Sequence, residues 1–172
     1  KGGRSPPYLT KKGVIATYIQ EVHPLVFGEL LVKNMFVKLS VCDLIVIFSC
    51  FANCKINDEY TVYDFSRLSI SNSSKSILKI INEYYVEIGE LELQNMLQSR
   101  EQEMQYNLCE IMKEWCEAKD EASCLGIYKK AKSFGISTGV FIKAVLKINN
   151  IASEIEKVCE IIGDLELLDK IK

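Results

Sequence analysis

Ser137–Asn149 reads STGVFIKAVLKIN and follows Leu125–Ile136, LGIYKKAKSFGI. A lysine-bearing segment stops at Gly135, and a small-residue head opens a second helix. A residue just past a helix end often takes a left-handed conformation, which glycine adopts without steric cost. Ile136 can then pack back near Ala131 in a Schellman-type stop. Ser137 or Thr138 caps the next helix by accepting a bond from one of its free N–H groups. That helix carries Phe141, Val145, Ile148, Ala152, Ile155, Cys159 and Ile162 at alternating four- and three-residue steps. Such a heptad-like stripe belongs to a bundle-facing helix.

Lys143 and Lys147 lie one turn apart, on the side away from this stripe. In one reading they are the solvated face of a core helix. In the other they touch phosphates or base edges. The helix is too apolar elsewhere to lie freely in a DNA major groove. Nucleic acid would meet one edge while the opposite side stays packed, as in the wall of a channel.

Outward from this pair, Pro6, Pro7 and Pro24 all fall near the N-terminus, so nothing forbids long helices afterwards. Lys1–Pro7 is rich in glycine and proline and reads as an arm or linker. Lys11–Ile19, KKGVIATYI, alternates loosely and predicts a short strand. From Pro24 the apolar residues turn to helical period, with Leu25–Phe36 as the first helix. Ser40 is an N-cap for a buried helix reaching about Ala52. Asn57–Ser74 is polar and reads as a connection. Ser76–Leu97 is a long helix with Ile77, Ile80, Ile81, Tyr84 and Tyr85 on one side. Gln105–Ala118 follows, with Leu108, Ile111, Met112 and Trp115 on one face. Asp120–Ser133, Ser137–Ile162 and a short helix from Asp164 complete the chain, and no internal repeat appears. The expected fold is all-α: a bundle of about six to seven helices with a short N-terminal extended arm or strand. Residues 1–22 form the arm and 23–172 the bundle.

The 172 residues suit one domain, and 48% hydrophobic with 26% charged residues is ordinary globular composition. A formal net charge of -2 excludes a uniformly basic nucleic-acid binder, so any such surface is a local patch. An opening lysine in place of an initiator methionine suggests a piece of a larger protein. KGGRSPPY is not a signal peptide. Leu44–Ala52, LIVIFSCFA, is too short for a bilayer span and follows Asp43, so no membrane partner is expected. Seven cysteines without a disulfide pattern point to an intracellular protein with reduced thiols.

Other chemistry is mostly excluded. No phosphate-cradling Gly-x-x-x-x-Gly-Lys-Ser/Thr occurs. DEAS at Asp120–Ser123 resembles a helicase metal box, but it lacks the apolar strand such a box follows and reads as a helix start. Cys50 and Cys54, or Cys109 and Cys116, do not have the spacing of a zinc site. His23 is the one histidine, and no signature pairs it with a nucleophilic cysteine. Free cysteines fill core gaps, and Trp115 reads as a core anchor. No catalytic, cofactor-binding or metal-ligating residue is assigned.

Three segments together resemble a known family. Tyr8–Ala16 (YLTKKGVIA), Ile45–Ala52 (IVIFSCFA) and Leu108–Lys172 are similar to the DSHCT domain. That domain is the C-terminal helical part of the superkiller-like DExH RNA helicases that feed RNA to the exosome. Phe48-Ser49-Cys50-Phe51 looks like its Ser-Cys-Phe segment, and Glu114-Trp115-Cys116 like its Trp-Cys helix. Gly139–Ile148 (GVFIKAVLKI) is similar to its Gly-Ser-Ile-Ile-Arg helix, and Ile162–Leu167 to its closing Ile-Gly-x-x-Glu-Leu. The middle, Asn57–Gln105, aligns only as generic helix.

The resemblance implies a non-catalytic bundle lying against a helicase core, with ATP and Mg held by the parent's motor domains. Its implied partners are single-stranded RNA, that helicase core and exosome adaptors, with a nuclear location ahead of a cytoplasmic one. Lys143 and Lys147 are the implied RNA-binding positions. Lysine stands where arginine is usual, which loses the planar guanidinium fork, and Leu146 occupies the next basic position. The competing readings are a protein-docking module without RNA contact and a helix-turn-helix DNA-binding regulator.

Overall fold

The computed structural model describes residues 8–97 and 104–172. The N-terminal arm over residues 1–7 lies outside the described residues. Eight α-helices occur among those described: α1 (Lys11–Ala16), α2 (Pro24–Val32), α3 (Val41–Ser49), α4 (Asn72–Gln94), α5 (Cys109–Glu117), α6 (Glu121–Ser133), α7 (Thr138–Ile162) and α8 (Leu165–Ile171). The fold is all-α, and among the described residues there is no strand.

The short strand expected over Lys11–Ile19 is instead α1. Thr10 caps it, its hydroxyl accepting from the Gly13 N–H at 3.1 Å. Ile15 is the buried residue of α1, which packs on α2, and Ile19 and Val22 are buried in the connection that follows. Local β-preference loses to a cap and a shared buried side. Residues expected to form an arm therefore enter the core from Ile15 onward.

α3 is the central rod, touching α4, α5 and α7. Its burial follows from its composition, since Leu44, Val46, Ile47 and Phe48 are buried and Asp43 is its one charged residue. Phe27, Phe36, Phe48 and Phe51 interlock around it, with ring centroids 5.2–6.2 Å apart. Edge-to-face packing of this kind adds to the area each ring buries.

Asp43 ties two helix starts together. One carboxylate oxygen accepts from the Ser40 N–H at 3.0 Å and the Ser40 hydroxyl at 2.7 Å, and the Ser40 Oγ accepts from the Asp43 N–H at 3.1 Å. This is a complete capping box. The other oxygen accepts from the Ser74 hydroxyl at 2.7 Å and from the Ser71 hydroxyl. Ser71 itself caps α4 by accepting from the Ser74 N–H at 2.9 Å. The serines expected to lie in a polar connection thus start α4 earlier than Ser76, because serine at a helix N-terminus satisfies free N–H groups. The rest of that connection holds two 3-10 turns, Asp58–Tyr60 and Phe65–Arg67.

The α6–α7 turn follows the sequence expectation. Gly135 has φ +89°. The Ile136 N–H donates to the Ala131 carbonyl at 3.1 Å and the Gly135 N–H to that of Lys132 at 3.0 Å, the two bonds of a Schellman stop. Ser137 caps α7, and Asp120, the first residue of DEAS, caps α6. A second constraint acts on Gly135, because a Cβ there would lie 2.4 Å from the Asn57 Oδ1.

The buried side of α7 departs from the expected stripe. Phe141, Ile148, Ile155 and Cys159 are buried as expected, but so are Ala144, Ile151 and Val158. Val145 is exposed, and Ala152 and Ile162 are half-buried. The buried face is turned because α7 is covered on more than one side, by α3, by α8 and by the α1–α2 connection.

Gly135→Ala combines a left-handed backbone with a clash and should destabilise by about 2 kcal/mol or more. Gly126→Ala, in the open interior of α6 where nothing lies within 4 Å, should stabilise by up to about 1 kcal/mol. Urea unfolding of the two variants checks both signs.

Burial works against the Asp43 charge, but hydrogen bonds from Ser71, Ser40 and Ser74 outweigh it and hold the carboxyl below the usual aspartate range. A depressed folded-state pKa contributes stability above the unfolded value, ~3.9, that disappears as pH falls through the folded value. Asp43→Ala should therefore cost about 2 kcal/mol at neutral pH, and its deficit should shrink in acid below that range. Urea midpoints across the acid limb measure it.

Candidate nucleic-acid interface

Along α7 successive residues turn by about 100°, so Lys143 and Lys147 lie 40° apart on one edge, roughly opposite Phe141. Phe141 anchors the N-terminal part of the helix. Its ring meets Trp115 at 5.3 Å and Tyr128 at 6.2 Å, both edge-on. Trp115 is 37% exposed, so it is a rim residue of this aromatic group and not the core anchor expected.

Lys143 is exposed and has no hydrogen-bond or ion-pair partner among the described residues. Ile142 and Leu146 flank it and are 52% and 56% exposed. Around Lys143 the exposed surface of α7 is therefore an ammonium set in apolar surface, and Lys157, also exposed, lies further along the same side.

Lys147 differs. It is half-buried, and its Nζ lies 2.5 Å from Glu21 Oε2. Asn150 donates to the other Glu21 oxygen at 3.3 Å. One turn on, Glu154 Oε2 accepts from the backbone N–H groups of Gln20 at 3.0 Å and Glu21 at 2.9 Å. The edge Lys147, Asn150, Glu154 thus clamps the α1–α2 connection onto α7. The structure keeps both sequence-predicted lysines on one edge but commits the charge of Lys147 inside the molecule.

Glu21, Asn150 and Glu154 escaped the sequence reading, as did the exposure of Ile142 and Leu146. The steps from Lys147 to Asn150 to Glu154 do mark a polar edge of helical period. The partner Glu21 is 126 positions away and leaves no local signal.

On the opposite flank a hollow of about 290 Å³ opens between α3, α5, α7 and α8, lined by Val41, Ile45, Phe48, Trp115, Val145 and Ile171. His23 is buried at the start of α2, with its Nε2 3.1 Å from Glu92 Oε1. Among the described residues no three His, Cys, Asp or Glu side chains gather as metal ligands would, and no helix is long and apolar enough to cross a membrane.

A family model of the DSHCT (NUC185) domain matches residues 7–172. The chain belongs to the DSHCT domain family. The DSHCT domain is the C-terminal domain of Ski2-like helicases. No curated protein matches the chain. Within this DSHCT domain, α7 is the helix that carries the Gly139–Ile148 segment, and its exposed edge is the surface just described.

The clamp has a measurable coupling. Both partners keep about a quarter of their side-chain surface in water, so solvent screening limits the pair to about 0.5–1 kcal/mol. A double-mutant cycle with Glu21→Ala and Lys147→Ala, read by urea unfolding, should give a coupling of that size. Lys143→Ala with Glu21→Ala should give none.

Proposed function

We propose that this chain is the non-catalytic C-terminal domain of an ATP-dependent RNA helicase, packing on the motor core and guiding single-stranded RNA toward the exosome in RNA processing and decay. The observation that carries the reading is Lys143, exposed on the α7 segment that the family match covers. In this mechanism the Lys143 ammonium meets a phosphate of the passing strand, and Ile142 and Leu146 offer apolar surface to bases. Lys147 reinforces the field only when RNA competes with Glu21 for it. The buried side of α7 holds the wall rigid, so that translocation moves RNA and not the wall. ATP and Mg belong to the motor, and nuclear surveillance is the setting the reading places first.

Lysine contacts of this kind are electrostatic and sequence-independent, so binding by the chain alone is weak and strongly salt-dependent. A titration with single-stranded RNA at several salt concentrations tests the reading. Lys143→Ala should lower the salt slope by about 0.7, the contribution of one phosphate on a single strand. Lys147→Ala should lower it less. Unchanged affinity and slope in the double variant would remove Lys143 and Lys147 as the RNA contacts.

Ile142 and Leu146 favour a second reading, in which the same face docks a protein and never meets RNA. Exposed apolar side chains at neighbouring helical positions are a common element of a protein interface. Leu146→Asp separates the two. A docking module loses its motor domains and keeps whatever RNA affinity the wild type has. Sequence-specific duplex binding would instead favour a DNA-binding regulator.

A further inference from the structure

The distal half of α4 is held along one side and left open along the other. On the held side Ile81 and Ile88 are buried, and the Lys33 Nζ donates to the Tyr84 hydroxyl at 2.8 Å. The Tyr85 ring lies edge-on to His23 at 5.5 Å, and Glu92 Oε1 is 3.1 Å from the His23 Nε2. The core and the two ends of α2 thus fix which way this helix faces.

On the open side Val86 and Leu93 lie two turns apart and are 63% and 71% exposed. Gly89 and Glu90 sit between them, so Val86, Gly89, Glu90 and Leu93 occupy positions i, i+3, i+4 and i+7. Four residues at these steps form the hole that receives one side chain of a facing helix in a coiled coil. Gly89 keeps the hole open, since a Cβ there would meet nothing within 4 Å. Among the described residues no contact calls for glycine at this place, and alanine would suit the helix better. Met96 and Leu97, just past the helix end, add further exposed apolar surface.

Charge selects the occupant. Glu83, Glu87 and Glu90 follow one another at four- and three-residue steps in the strip beside Val86 and Leu93. All three are exposed. Lys79 lies 4.0 Å from Glu83, whereas Glu87 and Glu90 have no ion-pair partner among the described residues. Such a strip repels phosphates, and a second copy of the chain facing it would set glutamate against glutamate. We propose that this edge of α4 is a docking surface for a basic amphipathic helix of another protein. That helix sets a large apolar side chain into the hole and places lysine or arginine against Glu83, Glu87 and Glu90. No residue of α7 takes part, so the surface is independent of the RNA reading.

Titration of the whole chain into fluorescently labelled helical peptides of about three heptads tests the surface. One peptide carries leucine at the a and d positions with arginine at e and g, and its control carries glutamate at e and g. The arginine peptide should bind at least about tenfold more tightly, and added salt should weaken it. Leu93→Asp adds a negative charge, so a general attraction to basic peptides would grow, whereas a docking surface loses roughly tenfold or more. Gly89→Leu fills the hole at an open helix position, and it should weaken binding while leaving the urea midpoint unchanged or higher. Glu87→Lys with Glu90→Lys should turn the preference towards the glutamate peptide, and Lys143→Ala should change nothing. Equal affinity for the two peptides, full binding by Leu93→Asp, or no binding at any salt would each overturn the proposal. So would a dimer in sedimentation that Leu93→Asp dissociates, because the occupant would then be a second copy.

Discussion

The carboxylate of Asp43 is the constraint on which the bundle turns. α3 is apolar on nearly every side, and nothing in its own pattern says which neighbour should lie where. Asp43 breaks that degeneracy. It accepts from Ser40 at the start of its own helix and from Ser71 and Ser74 at the start of α4, so two helix N-termini are set side by side. A negative charge near two N-terminal dipoles is favourable for both. With α3 placed against α4, its other sides receive α5 and α7, and the interlocked phenylalanines fill the space that remains.

What the sequence made legible follows from this division between local and distant causes. Capping at Ser40 and Ser137, the helix start at Asp120 and the left-handed stop at Gly135 all depend on residues within a turn, and each is present as expected. The strand expected over Lys11–Ile19 failed because the decision lay with α2, against which Ile15 packs. The stripe on α7 was half right for the same reason. Phe141, Ile148, Ile155 and Cys159 form one buried stripe that periodicity can anticipate. Ala144, Ile151 and Val158 are buried in addition because α7 is covered on more than one side.

The candidate site was legible as two lysines on one edge but not as two different electrostatic situations. Lys143 presents a whole charge to solvent. Lys147, at 2.5 Å from a Glu21 oxygen, forms a close dipole whose field dies away faster than that of a lone ammonium. At physiological ionic strength the screening length is about 8 Å, so a phosphate beyond contact distance senses Lys143 and little of its neighbour. A chain with net charge -2 and few free ammonium groups on this edge holds a polyanion only weakly by itself. If α7 lines an RNA path, most of the attraction has to come from surfaces facing it. The work of this helix is then placement, keeping one charge and two apolar side chains at a fixed height above a packed core. That is a role for which a rigid rod clamped by Glu21 and Glu154 is better suited than a mobile basic tail, whose charges would follow the strand as it moves.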